Sequence, residues 1–216
     1  MKPPLLIVAG AKGAVGTTVA AAVAGMKEKT ADVLPWLTTA HWIPFHALSG
    51  ITFAGWDTSD KSVTQSLDGQ AILPLEKYRD HAVFLDGLDI RLPPAPALPF
   101  REQVRLLDCD FRDFKAAWPD HHPVFINLLP ACEAHDLDKC RSLEEISDVA
   151  QPFRFPDLPY VLAALQNGIP VVNFTSNRIE FPLVVDEAVK AGLPLCGRDG
   201  KTGQTYLKVV IASALK

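Results

Sequence analysis

The run Leu5 to Ala9 is apolar throughout and reads as a buried strand, while Thr17 to Met26, rich in alanine and free of proline, reads as a helix. Gly50 to Trp56 forms a second apolar run that ends on an acid, Asp57, and a helix is expected from Lys61 onward. Any of Asp57, Thr58, Ser59 and Asp60 has the chemistry to cap it. Pro123 to Pro130 has no polar alternation, as expected of a parallel strand covered on both faces. Beyond residue 155 the pattern becomes regular: a helix Asp157 to Asn167 stopped by Gly168, a strand Pro170 to Phe174, a helix Glu180 to Ala191 stopped by Gly192, a short strand Leu193 to Cys196 and a last helix Lys201 to Leu215. Strands alternating with helices predict an α/β protein with a parallel sheet and helices on both faces.

The stretches between are less regular. Residues 33 to 44 hold Pro35, Pro44, Trp36 and Trp42, and read as a loop or lid. Pro93 to Pro99 is a proline-rich, extended connection, and Phe100 to Trp118 has helical spacing with many charges, as one or two surface helices would. Ser142 with Glu145 forms a capping-box pair opening a short helix. We expect one domain over residues 1–216 with an insertion around 88–122.

The first strand and helix are joined by Gly10-Ala11-Lys12-Gly13-Ala14-Val15-Gly16. Gly10 permits a tight turn with positive φ, Gly13 lets a ligand approach the backbone, and Gly16 lets the helix pack closely. The unpaired amides at the helix start carry partial positive charge and suit a pyrophosphate. This is the design of a dinucleotide site in a Rossmann-like sheet. The spacing G-x-x-G-x-x-G differs from the usual fingerprint, so a plain strand–turn–helix with small packing residues is the alternative. No Lys follows Gly16, which excludes a Walker A loop, and Lys12 is either solvated or a phosphate neighbour. Asp57 is the candidate acid for the ribose hydroxyls, but it follows the loop at about twice the usual separation of about 20 residues. A helix-start carboxylate is therefore the slightly favoured reading of Asp57.

Composition narrows the partners. A net charge of −4 and a pI near 5.8 give no electrostatic reason to expect nucleic acid. Leu5 to Met26 carries a single charge, Lys12, but its three glycines fit a strand–loop–helix and not a signal peptide. We therefore expect a cytoplasmic protein, away from membranes, with Cys109, Cys132, Cys140 and Cys196 reduced. Neither the cysteine spacings nor the scattered histidines form a metal-ligand pattern, and no metal site is expected.

A second glycine loop, Gly197-Arg198-Asp199-Gly200-Lys201-Thr202-Gly203-Gln204-Thr205, combines an acid, a lysine, hydroxyls and helix amides in one turn. It is not a P-loop, because Leu195 stands where that motif needs glycine. This segment resembles the Gly-Asn/Asp-Asp-x-Lys-Thr/Ser-Gly-Gln/Glu-Thr motif of the myo-inositol-phosphate synthase family. Phe53-Ala54-Gly55-Trp56-Asp57 resembles that family's Phe-Gly-Gly-Trp-Asp segment, and Tyr160 to Ser176 resembles its helix plus Val-Asn-Phe-Thr strand. The likeness runs in order along nearly the whole chain.

The resemblance implies an NAD-dependent isomerase that converts glucose 6-phosphate to inositol phosphate by oxidation, enolisation, aldol cyclisation and reduction. It implies that Gly10, Gly13, Val15 and Gly16 hold the NAD pyrophosphate and Asp57 the adenosine ribose. Asn173, Thr175 and Asp199 would line the nicotinamide side, with Lys201 and, seven residues on, Lys208 as catalytic lysines. Two departures stand out. Leu128-Leu129-Pro130 replaces a small, polar segment that contacts the cofactor, with Glu133 only later. The family also continues well past the helix that here reaches Lys216, into an oligomerisation sheet and most of the catalytic lysines. We therefore expect weakened or absent cyclase activity from this chain, an apolar face on Thr205 to Leu215, and a homo-oligomer or a separate carboxy-terminal partner. The alternatives are a non-catalytic NAD-binding or regulatory module, or another Rossmann oxidoreductase.

Overall fold

The computed structural model describes residues 2–27, 50–132, 137–140, 142, 144–146 and 156–197. Six parallel strands, β1 (Pro4–Ala9), β2 (Thr52–Trp56), β3 (Asp89–Arg91), β4 (His122–Asn127), β5 (Val171–Asn173) and β6 (Leu195–Cys196), form one sheet in the order β3-β2-β1-β4-β5-β6. This is the doubly wound order of dinucleotide-binding folds. The expected Rossmann-like parallel sheet with helices on both faces is borne out.

The alternation along each strand explains the two layers. Leu5, Ile7 and Ala9 of β1, Ala54 and Trp56 of β2, and Phe125 of β4 face one side. They are covered by α4 (Phe100–Ala117), α5 (Leu158–Gln166) and α6 (Pro182–Lys190). Val8 and Phe53 face the other side, under α1 (Ala14–Lys27), α2 (Val63–Gln70) and α3 (Ala82–Asp86). The buried stripe of α1, Gly16, Thr17, Ala20, Ala21, Val23 and Ala24, consists of small side chains that allow the helix close to the sheet.

Trp56 is the centre of the first layer. Its ring meets Phe111, Phe114 and Tyr160 edge-on at centroid distances of 5.0, 5.2 and 5.2 Å. Its indole nitrogen donates to Asp110 Oδ2 at 2.7 Å, and Arg91 bonds the other oxygen of that carboxylate at 2.8 Å. The buried polar end of the indole is thereby satisfied at the rim of the core.

Two regions differ from expectation. Residues 88–122, expected as an insertion with surface helices, contain β3 and the long helix α4, which buries Phe100, Leu107, Phe111 and Phe114. β3 was not legible because Asp89 and Arg91 flank a single apolar residue. The helix after β2 begins at Val63, where the Ser62 side chain and Gln65 form a capping box, so none of residues 57 to 60 caps it. The expected lid over 33–44 and the last helix, Lys201 to Leu215, lie outside the described residues.

Phe111 is fully buried among Trp56 and Phe125. Phe111→Ala should lower unfolding free energy by about 3–5 kcal/mol in a denaturant titration. A loss under about 1 kcal/mol would remove the aromatic cluster from its central role.

Candidate functional site

In open parallel sheets the ligand crevice opens at the carboxyl ends of the strands, where the strand order reverses. Here that point lies between β1 and β4. A cleft of about 210 Å³ occupies it, lined by Gly10, Gly13, Trp56, Asp57, Thr58, Pro93, Leu128, Leu129, Pro130 and Tyr160. A larger hollow, about 330 Å³, lies between α4 and α5, and none of its lining residues belongs to a strand or to the glycine loop. We place the candidate site in the smaller cleft because strand ends and helix amides converge there.

The glycine loop is held by the end of β2. The Gly10 and Ala11 amides donate to the Trp56 carbonyl at 3.0 and 3.1 Å, and the Gly13 amide donates back to the Gly10 carbonyl at 3.1 Å. Gly10 has φ +84°, so the turn requires glycine there. A Cβ on Gly16 would stand 2.5 Å from the Ala11 carbonyl oxygen, so this glycine permits the tight entry into α1. A Cβ on Gly13 would meet only the Gly10 carbonyl oxygen, at 3.3 Å, and Gly13 is exposed to the cleft. The first helical bond is donated by Thr17 to the Gly13 carbonyl at 2.9 Å, so the amides of Ala14, Val15 and Gly16 precede the helical ladder. Val15 is half exposed beside them.

Asp57 does not begin a helix, which corrects that reading. One carboxylate oxygen accepts the Lys12 amide at 2.7 Å and the other accepts the Ser59 amide at 2.9 Å. The Lys12 ammonium donates to the Ser59 carbonyl at 2.8 Å, so it is not simply solvated. Asp57 therefore fastens the glycine loop to the end of β2. A carboxylate has lone pairs for further donors, so the ribose role is compatible with this arrangement. Tyr160 closes the cleft floor, its ring stacked on Phe125 at 5.9 Å. Burial, together with the Asp110 and Asp57 carboxylates, pushes its hydroxyl well above its ordinary range, so it stays neutral.

At the ends of β4 and β5 the side chains form a buried polar network. Asn127 Nδ2 donates to Asp157 Oδ2 and to Asn173 Oδ1, both at 3.0 Å. Asn173 Nδ2 donates to the Asn177 carbonyl at 2.7 Å, and the Thr175 hydroxyl donates to Asn173 Oδ1 at 3.1 Å. Asn127 Oδ1 accepts the Leu129 amide at 3.2 Å, while Asn177 bonds the Pro130 carbonyl at 3.0 Å and the Cys132 amide at 2.8 Å. Asn173 and Thr175, expected to line a nicotinamide pocket, are thus buried and shape the cleft from beneath its Leu128–Pro130 wall. Asn127, Asp157 and Asn177 were missed, since a strand end, a helix start and a loop meet there only in the fold. Gly197, which opens the second glycine loop, has φ +88°, and a Cβ there would lie 2.3 Å from the Asn173 carbonyl oxygen. Asp199, Lys201 and Lys208 lie outside the described residues. Among the described residues no group of His, Cys, Asp or Glu is gathered to hold a metal ion, and no helix is long and apolar enough to cross a membrane.

Asp157 is 2% exposed, and burial raises its carboxyl pKa against the opposing bonds from Asn177 and Asn127. Ionising it therefore costs native stability. That cost develops as pH rises from the unfolded carboxylate range, about 3.9, through the raised native value, and is complete above it. Asp157→Asn lacks the charge, so its stability relative to wild type should improve as pH rises from 4 to 8. The gain should be about 1.4 kcal/mol for each tenfold difference in acidity between folded and unfolded states. A difference that stays constant with pH in paired denaturant titrations would contradict this.

No protein-family model matches the chain. Among curated proteins it is similar to inositol-3-phosphate synthase 1 of Bacteroides thetaiotaomicron, 26% identical over 81% of this chain and 45% of that protein. It is also similar to inositol-3-phosphate synthase of Brassica napus, 22% identical over 80% of this chain and 38% of that protein. In fold it matches the solved inositol-3-phosphate synthase of Caenorhabditis elegans with a TM-score of 0.73 and 15% identity, over 99% of this chain and 53% of that one. The resemblance to the inositol-3-phosphate synthase family read from the motifs is borne out by these relatives, and the chain spans less than half the length of the curated ones.

Proposed function

We propose that this chain binds NAD+ at the carboxyl edge of its sheet and is the amino-terminal, cofactor-binding portion of an enzyme that makes inositol phosphate from glucose 6-phosphate. The observation that carries this reading is the glycine loop, which brings the α1 amides and the Asp57 carboxylate to one cleft at the point where strand order reverses. The similarity to inositol-3-phosphate synthases supports it.

In this reading Gly10, Gly13, Val15 and Gly16 surround the pyrophosphate, which the free amides of the first turn attract. Asp57 accepts from the adenosine ribose while keeping its bonds to the loop. Tyr160, held neutral, offers a hydroxyl in the cleft. Asn173 and Thr175 fix the Leu128–Pro130 wall, and Asp199 contacts the nicotinamide. Lys201 and Lys208 place positive charge where negative charge develops on the sugar. Bound NAD+ would supply a reversible hydride acceptor for the sugar. Residues 1–216 act as one NAD-binding domain in the cytoplasm, assembled as a homo-oligomer. A non-catalytic NAD-binding module is the second reading, favoured by the aliphatic Leu128–Pro130 wall that lines the cleft in place of a polar cofactor contact.

Calorimetric titration of NAD+ into the full chain and two glycine variants tests the cofactor claim. Asp57→Ala is a poor control, because it also frees the Lys12 and Ser59 amides. Gly13→Ala sets a methyl 3.3 Å from the Gly10 carbonyl oxygen, one tight contact that a small shift of the loop relieves, so it should fold with a lesser loss of stability than Gly16→Ala and bind NAD+ at least tenfold more weakly. Gly16→Ala should instead lose about 1–3 kcal/mol of stability by overpacking. Equal NAD+ affinity in Gly13→Ala and wild type would place the cofactor elsewhere. Inositol phosphate formed from glucose 6-phosphate would favour the enzyme; binding without turnover would favour the module.

A further inference from the structure

Gln70 is the last residue of α2, and no motif draws attention to it. Its Nε2 donates to the Lys12 carbonyl at 2.8 Å, and its Oε1 accepts from the Thr17 hydroxyl at 2.8 Å. The carbonyl can only accept, so it fixes which end of the amide faces it. One side chain thus joins the middle of the glycine loop to the first turn of α1, from a third element distant in sequence. Gln70 is itself well placed. α2 is capped by the Ser62–Gln65 box at its start and by Ala71 in the left-handed conformation, φ 50°, at its end.

The Lys12 carbonyl and the Gly13 amide belong to one peptide unit. Gln70 holds the oxygen of that unit, and the Gly10 carbonyl accepts from its N–H at 3.1 Å. The peptide plane is therefore pinned at both ends. Without the pin, Gly13 has no Cβ to restrict rotation of the adjoining bonds. Rotation would carry a carbonyl dipole through the loop that is to receive an anion, and would loosen the entry to α1.

We propose that Gln70 is a positioning residue that holds the Lys12–Gly13 peptide in the orientation that receives the dinucleotide pyrophosphate. The inference rests on the reading of this loop as the pyrophosphate site. Preorganised amides bind an anion without spending affinity on ordering the loop. Gln70 acts through the loop, and its side chain need not touch the ligand.

The test uses the full 216-residue chain with Gln70→Ala and Gln70→Glu. Two readouts are taken: NAD+ affinity by calorimetry, and backbone amide exchange at Gly13 and Thr17 without ligand. Gln70 is only partly buried, so both variants should fold. Gln70→Ala should exchange the Gly13 amide faster and bind NAD+ about tenfold more weakly. Gln70→Glu keeps an acceptor for Thr17 but at neutral pH has no proton for the Lys12 carbonyl. Its affinity relative to wild type should be low at pH 8 and recover below about pH 5, where a carboxylic acid can donate. Unchanged Gly13 exchange in Gln70→Ala overturns the proposal, as does wild-type affinity. A Gln70→Glu defect that does not change with pH also overturns it, because the donor to Lys12 is then not what matters. If wild type itself fails to bind NAD+, the cofactor reading fails, and the exchange result still decides whether Gln70 holds the loop.

Discussion

The bond pair from Gly10 and Ala11 to the Trp56 carbonyl is the constraint on which the rest of the site depends. It ties the turn after β1 to the end of β2, so the loop cannot move without the central strands. Trp56 is also the residue whose ring organises the aromatic layer beneath. Its backbone and its side chain therefore serve different ends of one structure. Asp57 extends the clasp by one residue, and the Asp110–Arg91 pair anchors the indole from the other side. A change that tilts this ring is transmitted to the loop through a single residue.

The opposite wall is built on different principles. There the backbone of Leu128 to Cys132 runs without helix or strand; the Leu128 amide bonds the Ala9 carbonyl, and the Leu129 amide, Pro130 carbonyl and Cys132 amide are met by the amide side chains of Asn127 and Asn177. Those side chains are in turn held by Asn173, Thr175 and the buried Asp157. Such a network specifies one arrangement because leaving any member unpaired is costly at low dielectric. The cleft thus has one side made of backbone amides and one of aliphatic side chains over a polar foundation.

Elements with a continuous apolar pattern were legible in the sequence: β1, β2, β4, α1, α5 and the glycine stops at 168 and 192. The Rossmann-like fold and the glycine loop followed from them. β3 was hidden because a three-residue edge strand with a charge at each end has no period to read. The α2 start was mistaken because four capping candidates precede Ser62, and only the reciprocal bond from Gln65 decides among them. At the site, Gly10 and Gly16 do what their positions implied. Asp57 was identified as important, but its bonds to Lys12 and Ser59 depend on which strands lie side by side. Asn127, Asp157, Asn177 and Gln70 gave no signal, since their partners are brought together only by the fold. Asp199, Lys201 and Lys208 are not among the described residues.

The strand order has a consequence for how the chain is made. Of the six strands β1 is synthesised first, yet it lies in the middle of the sheet, between β2 and β4. Its second edge is closed only by the segment His122–Asn127, and every pairing in the sheet is parallel and non-local. Synthesis proceeds at about 5–20 residues per second, so the most apolar strand spends several seconds with an unpaired edge. The loop that gives the cleft its anion-binding character hangs from that strand throughout. The three glycines that shape it also keep the stretch from Leu5 to Met26 from becoming one long sticky segment while it waits.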